Sequence, residues 1–243
     1  MISYRLIWSE DQISQFYDLL PKLDKHESHM VSLFARHKYI SATTNLKLNV
    51  KDSTIERKFI DEDNKAHYIN LLRRYEVPVG SFTDRNGTGL PDHVLALYAS
   101  VNPRGGRLAC RELAKELIAG LNGELSNFKF STLQSKASSY IQKTVTRKLI
   151  FDIDIDEKNV VLYNKIMTTL EDLELDVCRV ASIETRGGFH ILMDIAAMHL
   201  TDKQWYPKLH KAFIDLPVEL KTDTLCPIPG TIQGGFNVRF FDE

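Results

Sequence analysis

The chain has 243 residues, of which 43% are hydrophobic and 26% are charged, and its formal net charge is −1 at pH 7. This composition is typical of a globular chain of one or two domains, and it excludes a peptide or a disulfide-stapled miniprotein. No stretch approaches the roughly 20 consecutive apolar residues that span a bilayer, and no signal-peptide pattern opens the sequence, so we expect a cytoplasmic protein without a membrane partner.

Charge is divided unevenly along the chain. Residues 1–150 hold 22 basic and 16 acidic residues, a net of +6, whereas residues 151–243 hold 9 and 16, a net of −7. Most of the positive excess falls in residues 101–150. We therefore expect one face that follows a polyanion and an acidic half that binds cations, with two ordinary solvated surfaces as the alternative.

The first half of the chain contains short periodic segments that are interrupted by turn residues. Apolar spacing and aromatic runs are the informative signals in these segments. They predict a helix near Glu10–Leu20, an apolar stretch at Met30–Phe34, a strand at Asn45–Val50, a helix around Tyr68–Tyr75, a buried strand at His93–Val101 and an amphipathic helix at Arg107–Leu121.

From Lys148 onward the pattern is regular, and apolar strands alternate with helical stretches. The predicted elements are a strand at Leu149–Ile155, a helix at Val160–Leu175, strands at Cys178–Glu184 and Phe189–Ile195, a helix at Thr201–Leu216 and a strand at Phe236–Phe241. This β-α-β-β-α-β order is that of ferredoxin-like and RNA-recognition-motif (RRM) folds, in which two helices cover one face of an antiparallel sheet. We therefore predict the α+β class, with an RRM-like module over residues 146–243.

Two aspartates alternate with apolar residues in the first strand of this module. Because successive side chains of a strand point to opposite faces, Asp152 and Asp154 share one face, about 6–7 Å apart. Like charges in an apolar strand are costly, so a cation is expected between them. Mg²⁺ and Mn²⁺ prefer such hard oxygen ligands together with substrate phosphates. Acids that point into water at a strand end are the alternative.

A turn with paired glycines joins the second and third strands of the module. The backbone N–H groups at Gly187 and Gly188, with the side chain of Arg186, are suited to hold phosphate oxygens, and the imidazole of His190 is suited to donate to a phosphate. In this topology the third strand lies beside the first, so we expect His190 to share the carboxylate face. A plain hairpin turn and a core histidine are the alternative.

Four further residues are candidates for the site or for nucleic-acid contact. Asp223 is expected to complete a set of three carboxylates, although the solvated start of a loop has the same pattern. Arg239 on the last strand is a candidate phosphate clamp. In the basic segment, Arg104 and Arg107 lie at a strand-to-helix junction, where they are candidates for contact with nucleic-acid phosphates. A capped turn is the alternative at that junction.

These blocks together resemble the archaeo-eukaryotic primase superfamily, the primase-polymerases. The family's first motif, hydrophobic-D-hydrophobic-D, is matched by residues 150–155, and its second, a glycine-rich turn ending in histidine, by residues 185–190. Its third motif, a single aspartate, is matched by Asp223. The resemblance covers roughly residues 148–241, and the three motifs occur in the family's order.

A loop sequence that many members of this family share is matched only in part. Many small primase-polymerases have an R-x-P-G-T-x-N-x-K loop after the third aspartate. Here the segment Pro229-Gly230-Thr231 is present, but the arginine, asparagine and lysine positions hold other residues: Pro227, Gln233 and Gly235. Arg239 is the candidate substitute for the missing cation.

The resemblance implies a DNA-dependent primase or polymerase, a nucleotidyltransferase that makes or extends strands from nucleoside triphosphates on a single-stranded DNA template. It implies two divalent ions, Mg²⁺ or Mn²⁺, bound by Asp152, Asp154 and Asp223. It implies contacts with the triphosphate at Thr185, Arg186 and His190. It also implies an N-terminal α/β module over residues 1–145 that packs on the catalytic one, and replication partners such as a helicase acting in trans.

Two other classes of protein remain open. A non-catalytic RRM-like nucleic-acid-binding domain has the same element order, although its first strand presents aromatic residues rather than aspartates. A haloacid-dehalogenase-type phosphatase also begins with D-x-D, but only about 90 residues follow Asp152 here. No zinc site is predicted, because the cysteines lack ligand spacing, and we expect mostly buried thiols at all three: Cys110, Cys178 and Cys226.

Overall fold

The computed structural model describes residues 2–40, 52–84, 86–124, 128–198, 204–223 and 225–241, and it has the predicted α+β class. The helices are α1 (Glu10–Leu19), α2 (Lys65–Arg73), α3 (Gly106–Leu121), α4 (Leu133–Lys143), α5 (Val160–Asp172) and α6 (Trp205–Phe213). None of the helices in these residues is long and apolar enough to cross a membrane. The strands are β1 (Glu27–Ala35), β2 (Ser53–Ile60), β3 (Leu95–Ser100), β4 (Arg104–Gly105), β5 (Ile150–Ile155), β6 (Val180–Glu184), β7 (Phe189–Asp194), β8 (Glu219–Lys221), β9 (Leu225–Pro227), β10 (Ile232–Gln233), β11 (Phe236–Asn237) and β12 (Arg239–Phe240).

The first sheet has the strand order β2-β1-β3-β9, and β4 also pairs with β1. Strand β3 is buried at every position, which explains its continuous apolar sequence. Helices α1 and α2 pack on this sheet through Ile13, Phe16 and Tyr68. Each helix begins at a polar residue, Ser9 or Asn64, whose side chain accepts a hydrogen bond from a backbone N–H group of the first turn.

The second sheet has the order β12-β6-β7-β5-β8, and all of its pairings are antiparallel. One face carries Phe151 and Ile153, which form a core with Ile166 of α5 and Leu209 of α6. The other face carries Ile150, Ile183 and Leu192, which belong to the core of the first sheet. Because side chains alternate along β5, the face that meets the first sheet is also the face of the two aspartates.

The predicted order of the second half is confirmed except for its last strand. The fourth strand of the module is β8, which pairs with β5. Residues 236–241 instead form β11 and β12, and β12 lies at the opposite edge of the sheet beside β6. The prediction that residues 236–241 form the fourth strand of the module is therefore wrong, although two short strands do lie there. Strand β8 was missed because it has only three residues and too little apolar sequence to be recognised.

In the first half, five of the six predicted segments coincide with observed elements, with bounds shifted by a few residues: α1, β1, α2, β3 and α3. The strand predicted at Asn45–Val50 lies outside the described residues. Three elements were not predicted: β2, α4 and the two-residue β4. Strand β2 has mostly half-buried, mixed residues, and α4 has no buried residue among those described, so neither shows a clear apolar face.

The last part of the chain returns to the first sheet. Strand β9 pairs with β3, and Ile7 forms a β-bridge with Thr231. Gly230, which has a φ of +88°, accepts hydrogen bonds from two N–H groups at the start of α1, where a methyl group would overlap the backbone. The predicted division into residues 1–145 and 146–243 therefore needs a correction, since β9 completes the N-terminal sheet.

The cysteines are less buried than predicted. Cys110 and Cys178 are exposed, and only Cys226 is buried. Cys110 lies on α3. Ala109 is the one buried residue of that helix, so most side chains of the helix face solvent. The prediction of mostly buried thiols is therefore wrong for two of the three.

We expect a buried histidine to make the fold sensitive to mild acid. His29 on β1 is 1% exposed, and burial lowers its pKa to about 4. Below pH 6.5 the unfolded chain binds a proton at this residue that the folded chain does not. The free energy of unfolding therefore decreases as the pH is lowered. Between pH 6.5 and 5 the expected loss is about 1–2 kcal/mol, measured by urea unfolding at each pH.

The matched variants are His29→Gln and, at an exposed position, His93→Gln. His29→Gln is expected to flatten the dependence of stability on pH, whereas His93→Gln keeps the slope of the unchanged protein. An equal slope in all three proteins would contradict the assignment.

Candidate functional site

The predicted acid pair lies where the two sheets meet. Asp152 is fully buried, and its two oxygens lie 3.2 and 3.1 Å from Nδ1 of His190. Asp154 is the cross-strand partner of His190, and its Oδ1 lies 3.7 Å from His190 Nε2. The imidazole therefore lies between the two carboxylates, in the position where the sequence predicts a cation.

The surroundings of His190 favour its charged form. Burial lowers the pKa of His190, but the charge and hydrogen bond of Asp152, followed by the charge of Asp154, outweigh burial and raise that pKa above its ordinary value. This contribution to stability is complete below about pH 6.5 and is lost as the pH rises through the raised pKa. His190 and His29 thus act on stability with opposite signs and in different pH ranges.

Lys221 supplies a second cation to the acid pair. Its Nζ lies 2.8 Å from Asp154 Oδ2, and it also forms an ion pair with Glu219. Burial alone would lower the pKa of Lys221. The hydrogen bonds to Asp154 and Glu219 raise this pKa by more than burial lowers it, so the ammonium stays charged. In the β5–β8 register Lys221 is the partner of Asp152, which places it on the acidic face.

Asp223 is held in place by a buried arginine. Arg104 is 1% exposed, its Nη1 lies 2.5 Å from Asp223 Oδ1, and the same nitrogen donates to the carbonyl of Gln142 at the end of α4. Asn102 donates to the carbonyl of Thr222, which fixes the chain just before Asp223. The predicted contact between Arg104 and nucleic acid does not fit this burial. Its position instead makes Arg104 a positioning residue for Asp223.

The backbone N–H groups of the glycine turn all have hydrogen-bond partners within the protein. The N–H groups of Gly187 and Gly188 donate to Thr185 Oγ1 at 3.3 and 3.2 Å. The N–H of Arg186 donates to Gln233 Oε1 at 3.0 Å. The expectation that these N–H groups are available to phosphate therefore needs correction, because each has a partner within the protein.

Several of the predicted site residues line one cavity of about 470 Å³. These are Asp154, Thr185, Gly187, Gly188, His190 and Asp223. Acidic and basic side chains both contribute to the wall, since Asp156 and Glu219 add carboxylates and Lys221 adds an ammonium group. Asp152 lies outside this lining and contacts it through His190.

Besides Asp152 and Arg104, three predicted residues are not part of the cavity lining. Arg186 is at the rim, with its guanidinium 4.4 Å from the centroid of the Tyr39 ring. Arg239 lies on β12 and forms two contacts with Glu184, at 2.8 and 2.7 Å, so it does not fit the predicted phosphate clamp. Arg107 is exposed in the first turn of α3, and its contact with nucleic acid stays a prediction.

The donor set fits a divalent ion in part. Asp154 and Asp223 offer carboxylate oxygens to the same cavity, and Mg²⁺ is held in proteins by one or two carboxylates together with substrate phosphates. Among the described residues, no three His, Cys, Asp or Glu side chains form a group that could hold a metal ion. The site therefore fits an ion shared between protein and phosphate oxygens. Asp152 does not fit its predicted role as a metal ligand, because both of its oxygens lie against His190 Nδ1 and the residue is not part of the cavity lining.

The first sheet supplies cavity residues that the sequence analysis missed. Arg36 and Lys38 follow β1, and Tyr98 lies on β3. The hydroxyl of Tyr98 accepts hydrogen bonds from Arg36 Nη1 and Gln233 Nε2, each at 2.6 Å. Two basic residues at the end of an apolar strand were the available signal, but no sequence pattern places that strand end beside the glycine turn.

The arrangement combines carboxylates, an imidazole and several cations around one polar cavity. Such a wall suits an anionic ligand that carries a divalent ion, because each part of the ligand meets groups of opposite charge. Comparison with protein-family models, curated proteins and solved structures found no significant match to this chain.

Proposed function

We propose that the chain is a nucleotidyltransferase of the primase-polymerase type, which joins nucleoside triphosphates into a strand on a single-stranded DNA template with two Mg²⁺ or Mn²⁺ ions. One observation carries this proposal, the division of charge in the cavity. Asp154 and Asp223 line it as carboxylates, while Lys38, His190 and Lys221 line it as cations. A metal-bound polyphosphate has the complementary distribution of charge.

In this reaction a 3′-hydroxyl attacks the α-phosphate of a nucleoside triphosphate, and pyrophosphate leaves. Bound divalent ions lower the pKa of the hydroxyl and neutralise charge on the leaving group. Asp154 and Asp223 are the residues that would hold the ions, and Arg104 keeps Asp223 in place. Because Nδ1 of His190 is bound to Asp152, its Nε2 is the atom left to donate to a phosphate oxygen.

The order of the elements supports the primase-polymerase type. Strands and helices β5-α5-β6-β7-α6-β8 follow the RRM-like order, with D-x-D on β5, His190 opposite Asp154 on β7 and Asp223 just after β8. A non-catalytic RRM-like module stacks bases on aromatic side chains of the first and third strands. Here the corresponding face carries Asp152, Asp154 and His190, which favours a catalytic role over base stacking.

A strand-synthesis assay tests the proposal. The purified protein is incubated with single-stranded DNA, with and without a primer, labelled ribo- or deoxyribonucleoside triphosphates, and Mg²⁺ or Mn²⁺. Metal-dependent products that are absent in EDTA are expected, and products without a primer would identify priming. No incorporation under any of these conditions, with single-stranded DNA still bound in EDTA, would contradict the proposal and favour a binding module.

A further inference from the structure

We infer that Lys38, which lies in the turn after β1 of the first sheet, binds the polyphosphate tail of the nucleoside triphosphate in this cavity. The inference rests on the proposed function and adds a residue from outside the predicted catalytic module. The triphosphate is then held between the two sheets rather than on the second sheet alone.

The position of Lys38 is fixed by the turn that follows β1. In this turn the N–H of Tyr39 donates to the carbonyl of Arg36 at 3.1 Å, and the Tyr39 ring is buried in a cluster with Tyr98. Lys38 itself is exposed to the cavity, and its Nζ lies 3.6 Å from the point that a Cβ atom on Gly187 would occupy. The ammonium group therefore lies directly over the glycine turn.

The charge of Lys38 is not neutralised by the described residues. Arg36, its neighbour in the wall, forms an ion pair with Asp52 at 2.9 Å, whereas Lys38 forms none. Arg186 likewise forms no ion pair in that part of the chain, and it lies with Lys38 around one ring, Tyr39, at 4.4 and 5.7 Å from the centroid. Two such cations repel each other, and a bound anion relieves the repulsion.

The other lining cations each already have a partner within the protein. His190 Nδ1 is bound to Asp152, and Lys221 is bound to Asp154 and Glu219. The N–H groups of the glycine turn also have partners, as described above. Lys38 is thus the lining cation, within the described residues, that forms no hydrogen bond or ion pair with the protein, so its full hydrogen-bonding capacity is left for a ligand, and a polyphosphate offers several anionic oxygens.

Calorimetric titration tests this assignment without any need for catalysis. The full chain is titrated in Mg²⁺ without DNA, using ATP, dATP, inorganic tripolyphosphate and AMP as probes. We expect Lys38→Gln to weaken binding of the triphosphates and of tripolyphosphate about tenfold and to leave AMP binding unchanged. Lys38→Arg is expected to keep most of the affinity. Lys58→Gln on β2, which removes an exposed lysine outside the cavity wall, is the matched control.

Each outcome separates the inference from the proposed function. If the unchanged protein binds triphosphates and Lys38→Gln binds them equally well, the inference is wrong and the proposed function stands. If the unchanged protein binds neither triphosphates nor tripolyphosphate, both are wrong. Equal weakening by Lys38→Gln and Lys58→Gln would show a general charge effect and would also overturn the assignment.

Discussion

Replacement of Asp154 by asparagine is expected to lower metal-dependent nucleotide incorporation by about 10³-fold or more. The side chain keeps its shape but loses the charge that faces the cavity, His190 Nε2 and Lys221 Nζ. Removal of that charge weakens the hold on a divalent ion, and ion-stabilised transition states depend on several kcal/mol from such contacts. The measurement is the initial rate of primer extension at saturating Mg²⁺ and nucleotide.

The control for this prediction is Asp172→Asn, at an exposed carboxylate at the end of α5. It is expected to keep the rate of the unchanged protein. Circular dichroism and urea unfolding of Asp154→Asn show whether the fold is retained. A folded Asp154→Asn protein with an undiminished rate would remove Asp154 from the catalytic site.

Replacement of Gly188 by alanine is expected to disrupt the same site through its backbone. A methyl group at this position would overlap the carbonyl oxygen of Ile155 and lie 2.7 Å from the backbone nitrogen of Glu157. The turn must then move away from the end of β5, which strains the β5–β7 pairing that carries His190. Overpacking of this kind costs about 1–3 kcal/mol, and we expect the activity to fall with it.

The neighbouring glycine provides a closely matched comparison. A methyl group at Gly187 meets only Nζ of Lys38, at 3.6 Å, which is an ordinary contact. Gly187→Ala is therefore expected to change the free energy of unfolding by less than about 0.5 kcal/mol. Urea unfolding of the two variants decides the matter, because equal stabilities would show that the close approach at Gly188 is not structurally important.

The second sheet could be predicted where its sequence alternates. Along β5 the apolar residues and aspartates take turns, and this pattern was enough to place Asp152 and Asp154 on one face. The β-α-β-β order then placed β7 beside β5, which brought His190 to the acids. Local alternation and simple connectivity together were sufficient for this half of the site.

The rest of the site depends on contacts that leave no local pattern. Lys221 lies on a three-residue strand, which is too short to show periodicity. Lys38 reaches the cavity only because the end of β1 packs beside the glycine turn, a relation between distant segments. Arg104 was predicted to contact nucleic acid because a buried arginine and a solvated one look the same in sequence, although its burial is what positions Asp223.

The return of the C-terminal segment to the first sheet affects how the protein is made. Trp8 donates through Nε1 to the carbonyl of Val238, 230 residues away along the chain, and β9 covers the free edge of β3. During translation, the N-terminal half leaves the ribosome long before these partners are synthesised. The edge of β3 therefore stays unpaired until β9 is made. Such long-range pairing slows folding and leaves the edge prone to aggregation. The cavity between the two sheets, whose wall includes Leu225, Pro227 and Gln233, is therefore among the last parts of the molecule to form.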